Sequence, residues 1–192
     1  MSKFGENVFK STSINFGTKP DCTIGQSDVD TGIDSVSGAT LDENGSSYSL
    51  FGGIDYNDGL RLEGFIVDFG EASLSGNSGD TFTANGTTYV FNRSGSIKST
   101  ASSWGAAGIY DFVLTKNLNG LAKAGYHFWE AETTVATTTA SASITEDGSD
   151  FMFGGGLEYE LSNDMSFIGM YEKYNLDEDD VMVLSGGLIL KY

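Results

Sequence analysis

The chain has 192 residues, a formal net charge of −17, 26 glycines, a single proline and 12% aromatic residues. That length suits one domain with its own core, and the aromatic content argues against a disordered chain. With only 10 Lys and Arg, nucleic acid is excluded as a partner, because phosphate backbones are bound through clustered cations. The lone Cys22 excludes a disulfide framework and any CxxC metal site, and reads as an incidental loop thiol.

No apolar run approaches the ~20 residues of a membrane helix. A β-barrel escapes that test, since lipid-facing and lumen-facing residues alternate and each segment averages to nearly neutral hydropathy. The start, Met1-Ser-Lys-Phe-Gly-Glu6, carries no signal-peptide pattern and reads as a mature sequence behind an added initiator methionine.

Along the chain, a first strand is expected at residues 8–16, followed by a long polar loop over residues 17–46. Residues 47–56 and 60–69 flank Asn57-Asp58-Gly59, a tight hairpin turn. A second long loop, residues 70–102, leads to strands at 103–114 and 120–130, joined by a short turn around Lys116-Asn117. Residues 130–150 form a third loop. Strands at 151–161 and 165–174 flank Ser162-Asn163-Asp164, and a short acidic loop precedes the last strand at 181–192. Eight strands, short turns at one end and long loops at the other define an all-β, eight-stranded antiparallel up-and-down transmembrane barrel over residues 1–192. Closure removes the sheet edges that an open sheet would have to protect.

The strand faces carry the same reading. Trp104, Ala106, Gly108, Tyr110, Phe112 and Leu114 oppose Gly105, Ala107, Ile109 and Asp111; Phe151, Phe153, Leu157 and Tyr159 oppose Met152, Gly154, Glu158 and Glu160. Larger apolar faces point outward to lipid, and Tyr56, Tyr110, Phe112, Tyr159 and Tyr192 near the turn ends suit an interfacial aromatic girdle. A lipid-facing Lys costs on the order of 2–4 kcal/mol near the midplane, so Lys123 and Lys191 are expected in the lumen. Glu63, Glu158 and Glu172 fall on inward faces too. The expected interior is therefore a polar ion-pair network of Glu63, Lys123, Glu158, Glu172 and Lys191 instead of an oily core. Eight strands leave an interior just wide enough for side chains.

Taken in order, Leu50-Phe-Gly-Gly-Ile-Asp-Tyr-Asn57 with Leu62-Glu63-Gly64, Lys123-Ala-Gly-Tyr-His-Phe-Trp129, Phe153-Gly-Gly-Gly-Leu-Glu-Tyr159 and Gly187-Leu-Ile-Leu-Lys-Tyr192 resemble the OmpA and OmpX group of eight-stranded, porin-like outer-membrane barrels. The resemblance covers about residues 46–192. It implies a bacterial outer-membrane protein with periplasmic termini and extracellular loops; because the last strand runs to Tyr192, no peptidoglycan-binding domain is expected. It further implies that Tyr192, with Leu190 and Leu188, forms the signal read by the outer-membrane assembly machinery. In that group the glutamate matching Glu63 joins a lumenal ion-pair network, but two positions that would carry basic partners are Ile109 and Ile168 here.

His127 is the single histidine, and no serine elbow or ordered triad surrounds it, so neither a metal site nor catalysis is expected and no cofactor is implied. Asp177-Glu-Asp-Asp180 lacks a calcium-loop pattern and reads as a solvated loop tip. The Thr/Ala/Ser tract of residues 133–143 reads as polar strand extension, with partner pairing at its edge as a hypothesis. The expected function is a non-enzymatic structural and surface-interaction role through the loops. A small cation-preferring channel is the alternative, and a soluble lipocalin-like barrel or lipid-active enzyme stands behind it. Expected partners are outer-membrane lipids and lipopolysaccharide, the assembly machinery, and host or extracellular ligands, for a monomeric protein.

Overall fold

The computed structural model of the chain describes residues 21–29, 33–57, 59–177 and 179–190. In chain order the strands are β1 (Asp21–Val29), β2 (Ile33–Ser37), β3 (Thr40–Asp42), β4 (Asn44–Asn57), β5 (Leu60–Gly76), β6 (Thr81–Ala84), β7 (Thr87–Val90), β8 (Gly95–Thr115), β9 (Leu118–Thr137), β10 (Ser141–Ser162), β11 (Met165–Leu176) and β12 (Asp179–Leu190).

Eight of these strands pair into a ring. β4 pairs with β5, β5 with β8, and β8 through β12 pair in succession, all antiparallel. β1 then joins the two ends, running Cys22↔Leu188 to Val29↔Val181 on one side and Asp21↔Phe51 to Asp28↔Asn44 on the other. Each strand of the ring therefore has a neighbour on both sides, which satisfies the backbone groups that lipid cannot.

The first ring strand lies elsewhere than the sequence suggests. Residues 8–16 fall outside the described residues, and the ring position is held by Asp21–Val29, inside the stretch expected to be loop. The reason is that β1 has almost no apolar alternation: Gly25 and Ser27 face inward, and Gln26 and Asp28 face outward beside the exposed Ile24. Two flanking ladders hold it in place of side-chain hydrophobicity.

Alternation sorts the two faces of the wall. Leu62, Ile66, Trp104, Tyr110, Tyr126, Phe128, Phe153, Leu157, Phe167, Tyr171, Leu184 and Leu188 all lie outward and exposed. In water such a continuous apolar surface would drive aggregation; in a bilayer it is the required contact. Toward the long-loop end this belt finishes at polar outward residues, among them Asp68, Ser102, Glu130, Ser149 and Asp180, next to a rim where Trp104 stacks on Phe128 at 4.6 Å and Tyr126 meets Phe151 edge-on at 5.2 Å.

Inside, the outcome departs from the polar interior expected above. Phe65, Val67, Phe69, Ala107, Met152, Tyr174, Leu176, Val181 and Val183 form a buried apolar cluster in the half of the lumen nearer the long loops. Ile109, Leu121, Ile168, Met170 and Ile189 form a second in the half nearer the turns, and Phe51 packs against both. Ile109 and Ile168 thus replace charge with packing. Alternation missed this because several strands, β5 above all, are apolar on both faces once past Glu63.

Four strands far exceed the ~9–11 residues needed to cross a bilayer: β5, β8, β9 and β10 have 17, 21, 20 and 22 residues. The loops expected at 70–102 and 130–150 are therefore largely strand. Where β5 leaves the belt, the register shifts between Asp68 and Glu71, and Gly70 adopts φ 79° with its N–H donated to Asp68 Oδ1 at 2.8 Å. This bulge changes the inward set from Phe65, Val67 and Phe69 to Ala72 and Leu74.

Candidate functional site

Two groups of charged residues occupy the lumen. Lys123 Nζ lies 2.6 Å from Glu63 Oε1 and 2.8 Å from Glu172 Oε1, with all three side chains buried. The ammonium also stands 4.9 Å above the Phe65 ring, and Tyr174 donates its hydroxyl to Glu172 Oε1 at 3.4 Å. The triad sits where the two apolar clusters meet, beside a cavity of about 10 Å³ lined by Ser49, Phe51, Ile109, Ile168, Met170 and Tyr174 among others. That is about the room of one water.

Nearer the turns, Arg61 Nη2 bridges Asp111 Oδ1 at 2.7 Å and Glu158 Oε2 at 2.8 Å. Of the residues proposed for one lumenal network, Glu63, Lys123 and Glu172 come together, and Glu158 belongs to a second group. Lys191 and Tyr192 lie outside the described residues; Leu188 and Leu190 face outward in the lipid belt. In the sequence, Asp111 falls on the face of Ile109 with no partner assigned to it, and Arg61, which period-two spacing places on the face of Glu63, is omitted.

His127 is fully buried, its Nδ1 is 2.7 Å from Ser103 Oγ, and Tyr174 meets the imidazole edge-on at 5.3 Å. The serine and histidine are 24 positions apart and screened from both lipid and water. Such a pair can hold two strands together, but an ester substrate has no path to it. Among the described residues no group of three His, Cys, Asp or Glu converges as metal ligands would. In the acidic run, Asp180 pairs with Lys173 at 2.6 Å and Asp177 is exposed with φ 60°.

At the long-loop end, β2, β6 and β7 form a separate three-stranded sheet, while β3 pairs with the extension of β5. The β6–β7 hairpin turns at Asn85 and Gly86, with φ 49° and 73°, the paired positive values of a type I′ turn. Asp34 of the first loop accepts the Gly86 N–H at 2.9 Å, which ties the two loops together. Val36 lies opposite Phe82, and Phe82 opposite Tyr89; the last two rings stack at 5.1 Å. Phe91 packs 5.5 Å from Phe82 and against Gly76, where a side-chain Cβ would come within 2.6 Å of its ring. The Asn-Gly dipeptide between Thr81-Phe-Thr-Ala84 and Thr87-Thr-Tyr-Val90 was a legible hairpin signal in a stretch read as irregular.

Beyond the belt, β9 and β10 continue as a hairpin. β10 pairs with β9 from Ser141 to Tyr159 but with β11 only from Met152 onward. Among the described residues, 141–151 thus carry one ladder, and this segment bears the exposed Glu146 and Asp147.

A closed ring with lipid-facing aromatics and a filled lumen defines an integral β-barrel membrane protein. The chain belongs to the outer membrane protein beta-barrel domain family, whose model matches residues 12–191. It is thus a transmembrane barrel of the bacterial outer membrane, of the OmpA/OmpX-like kind. No curated protein matches it in sequence. The solved structure of neisserial surface protein A is similar over 90% of this chain and 96% of its own, with a TM-score of 0.56 at 13% identity. That of Ail, the attachment invasion locus protein of Yersinia pestis, in complex with the heparin analogue sucrose octasulfate, is similar over 88% of this chain and 95% of its own, with a TM-score of 0.53 at 15% identity. At these identities the likeness is one of fold.

Proposed function

We propose that the protein is a non-enzymatic, monomeric outer-membrane anchor that presents a recognition surface outside the cell, with its long-loop end extracellular and its turns and termini periplasmic. The observation that carries this reading is the placement of ordered structure: the lumen is packed by two apolar clusters around Lys123, whereas four strands and a separate sheet extend past the lipid belt. Structure built outside the bilayer serves contact with something there. Glu63, Lys123, Glu172, Arg61, Asp111 and Glu158 act in this reading as lumenal braces, and Tyr192 with Leu190 and Leu188 as the assembly signal.

Ail's structure carries a sulfated sugar, and attachment is in its name. Attachment transfers well to this chain, but a polyanionic ligand does not. The long-loop end carries Asp28, Asp34, Asp42, Glu43, Glu71, Asp80, Glu130, Glu132, Glu146 and Asp147 against Arg93, Lys98 and Lys173, with Lys98 already paired to Glu71 at 2.8 Å. Such a surface repels sulfates and draws cations. The one-sided edge of β10 offers a second mode of contact, by strand addition.

Embedding the protein in nanodiscs and planar bilayers tests both halves of the reading. Capture of a cationic ligand, lost when the structure beyond the lipid belt (residues 77–94 and 133–147) is replaced by short turns, together with silent bilayers, is the expected result. Discrete cation-selective current steps would overturn it in favour of a channel.

A further inference from the structure

The sheet of β2, β6 and β7 has an aromatic face that lies in water, outside the lipid belt that explains most other exposed apolar side chains. Its row runs Val36, Phe82, Tyr89 across three strands. The middle is anchored, because Phe82 packs on Phe91, which seats on Gly76. Both ends are open: Tyr89 is 48% exposed and Val36 37%.

The surroundings are acidic. Asp34 and Asp80 are each held in place by a backbone N–H, from Gly86 at 2.9 Å and from Asn77 at 2.6 Å, so their charges stay beside the sheet. Asp42 ends β3 and Glu43 follows it; the cations among the described residues of these two loops are Arg93 and Lys98, and Lys98 is already paired with Glu71 at 2.8 Å. A π-face whose borders are carboxylates favours a cation that can shed part of its water, which guanidinium does more readily than ammonium.

Resting on the surface-recognition reading above, we propose that the Val36–Phe82–Tyr89 face is the docking site for an arginine- or lysine-bearing polypeptide segment, whose cation lies over the Tyr89–Phe82 stack. Sulfated glycans are excluded by the same carboxylates, and a second copy of this chain brings more carboxylates than cations.

The test uses the full chain in nanodiscs and a fluorescent peptide of alternating arginine and glycine, with a heparin fragment as comparator, read by anisotropy at physiological ionic strength. The expected result is peptide binding that exceeds heparin binding, weakens about fivefold or more in Tyr89→Leu, and is kept or tightened in Tyr89→Trp, since ring electrons and not mere apolarity supply the contact. Tyr89→Leu keeps a β-compatible apolar residue, and an unchanged heat-dependent gel shift verifies the barrel. Equal binding by wild type and Tyr89→Leu overturns the site. If binding instead falls only in Glu146→Gln/Asp147→Asn, the partner docks on the β10 edge and the broader surface reading stands without this site. If wild type captures neither probe, both fall.

Discussion

Arg61 and Glu158 stand 97 positions apart in the chain and meet at 2.8 Å across the lumen. Asp111 completes the contact at 2.7 Å from the same guanidinium nitrogen. Arg61→Met would leave the buried Glu158, and the partly exposed Asp111 beside it, with no cation between them. Breaking such a pair costs roughly 3–5 kcal/mol, whereas replacing both partners by apolar side chains recovers much of it. Urea unfolding in lipid vesicles should therefore show Arg61→Met strongly destabilised and Arg61→Met/Glu158→Met partly restored.

Lys123→Met makes a sharper test of what seals the lumen. Removing the ammonium strands Glu63 and Glu172 and should lower stability by a similar ~3–5 kcal/mol. It should not open a path for ions, because the apolar clusters on either side of the triad remain. Single-channel recording of the variant is expected to stay silent; steady current steps would show that the ion pairs, and not the packing, are the barrier.

The bulge at Gly70 has a strict backbone requirement. Its φ is 79°, and a Cβ there would lie 2.6 Å from the Ser46 carbonyl oxygen. Gly70→Ala should cost about 1–3 kcal/mol. Gly52→Ala is the matched control, since a Cβ at that lipid-facing position meets nothing within 4 Å and should leave unfolding nearly unchanged.

On the lipid face, Leu157→Arg should cost on the order of 2–4 kcal/mol and slow insertion into vesicles. Thr88→Arg, on the sheet outside the belt, should leave insertion unchanged. Folding yields read from the heat-dependent gel shift compare the two, and equal yields would misplace the belt.

Gly86→Val should melt the β6–β7 hairpin, because a β-branched residue does not tolerate φ 73°. Hydrogen exchange should then speed up over residues 81–90 while the wall strands stay protected. Unaltered protection there would mean that the Asp34 contact, and not the turn, sets the hairpin.

The strands whose outer faces are apolar and whose inner faces are small or charged were legible from alternation, as Leu184 to Leu190 and Phe151 to Tyr159 illustrate. Where both faces are apolar, as at Phe65-Ile-Val67, alternation identifies a strand but not what fills the lumen. Where neither face is apolar, as at Gly25-Gln-Ser-Asp28, it finds no strand, since the ladder supplies what side chains do not. Glu63 with Lys123 could be inferred from charges needing partners. Arg61 required asking the same question of Glu158, and the long-loop sheet required weighing Asn85-Gly86 as a turn instead of as part of a polar tract.

The one-sided run of β10 has a consequence for how these barrels share a crowded membrane. Two copies meeting along residues 141–151 would align as neighbouring strands only ~4.8 Å apart. Glu146 and Asp147 would then approach their own counterparts, and like charges at that spacing disfavour the union. The carboxylates thus act as a spacer between identical neighbours, leaving the ledge open only to a chain of opposite charge.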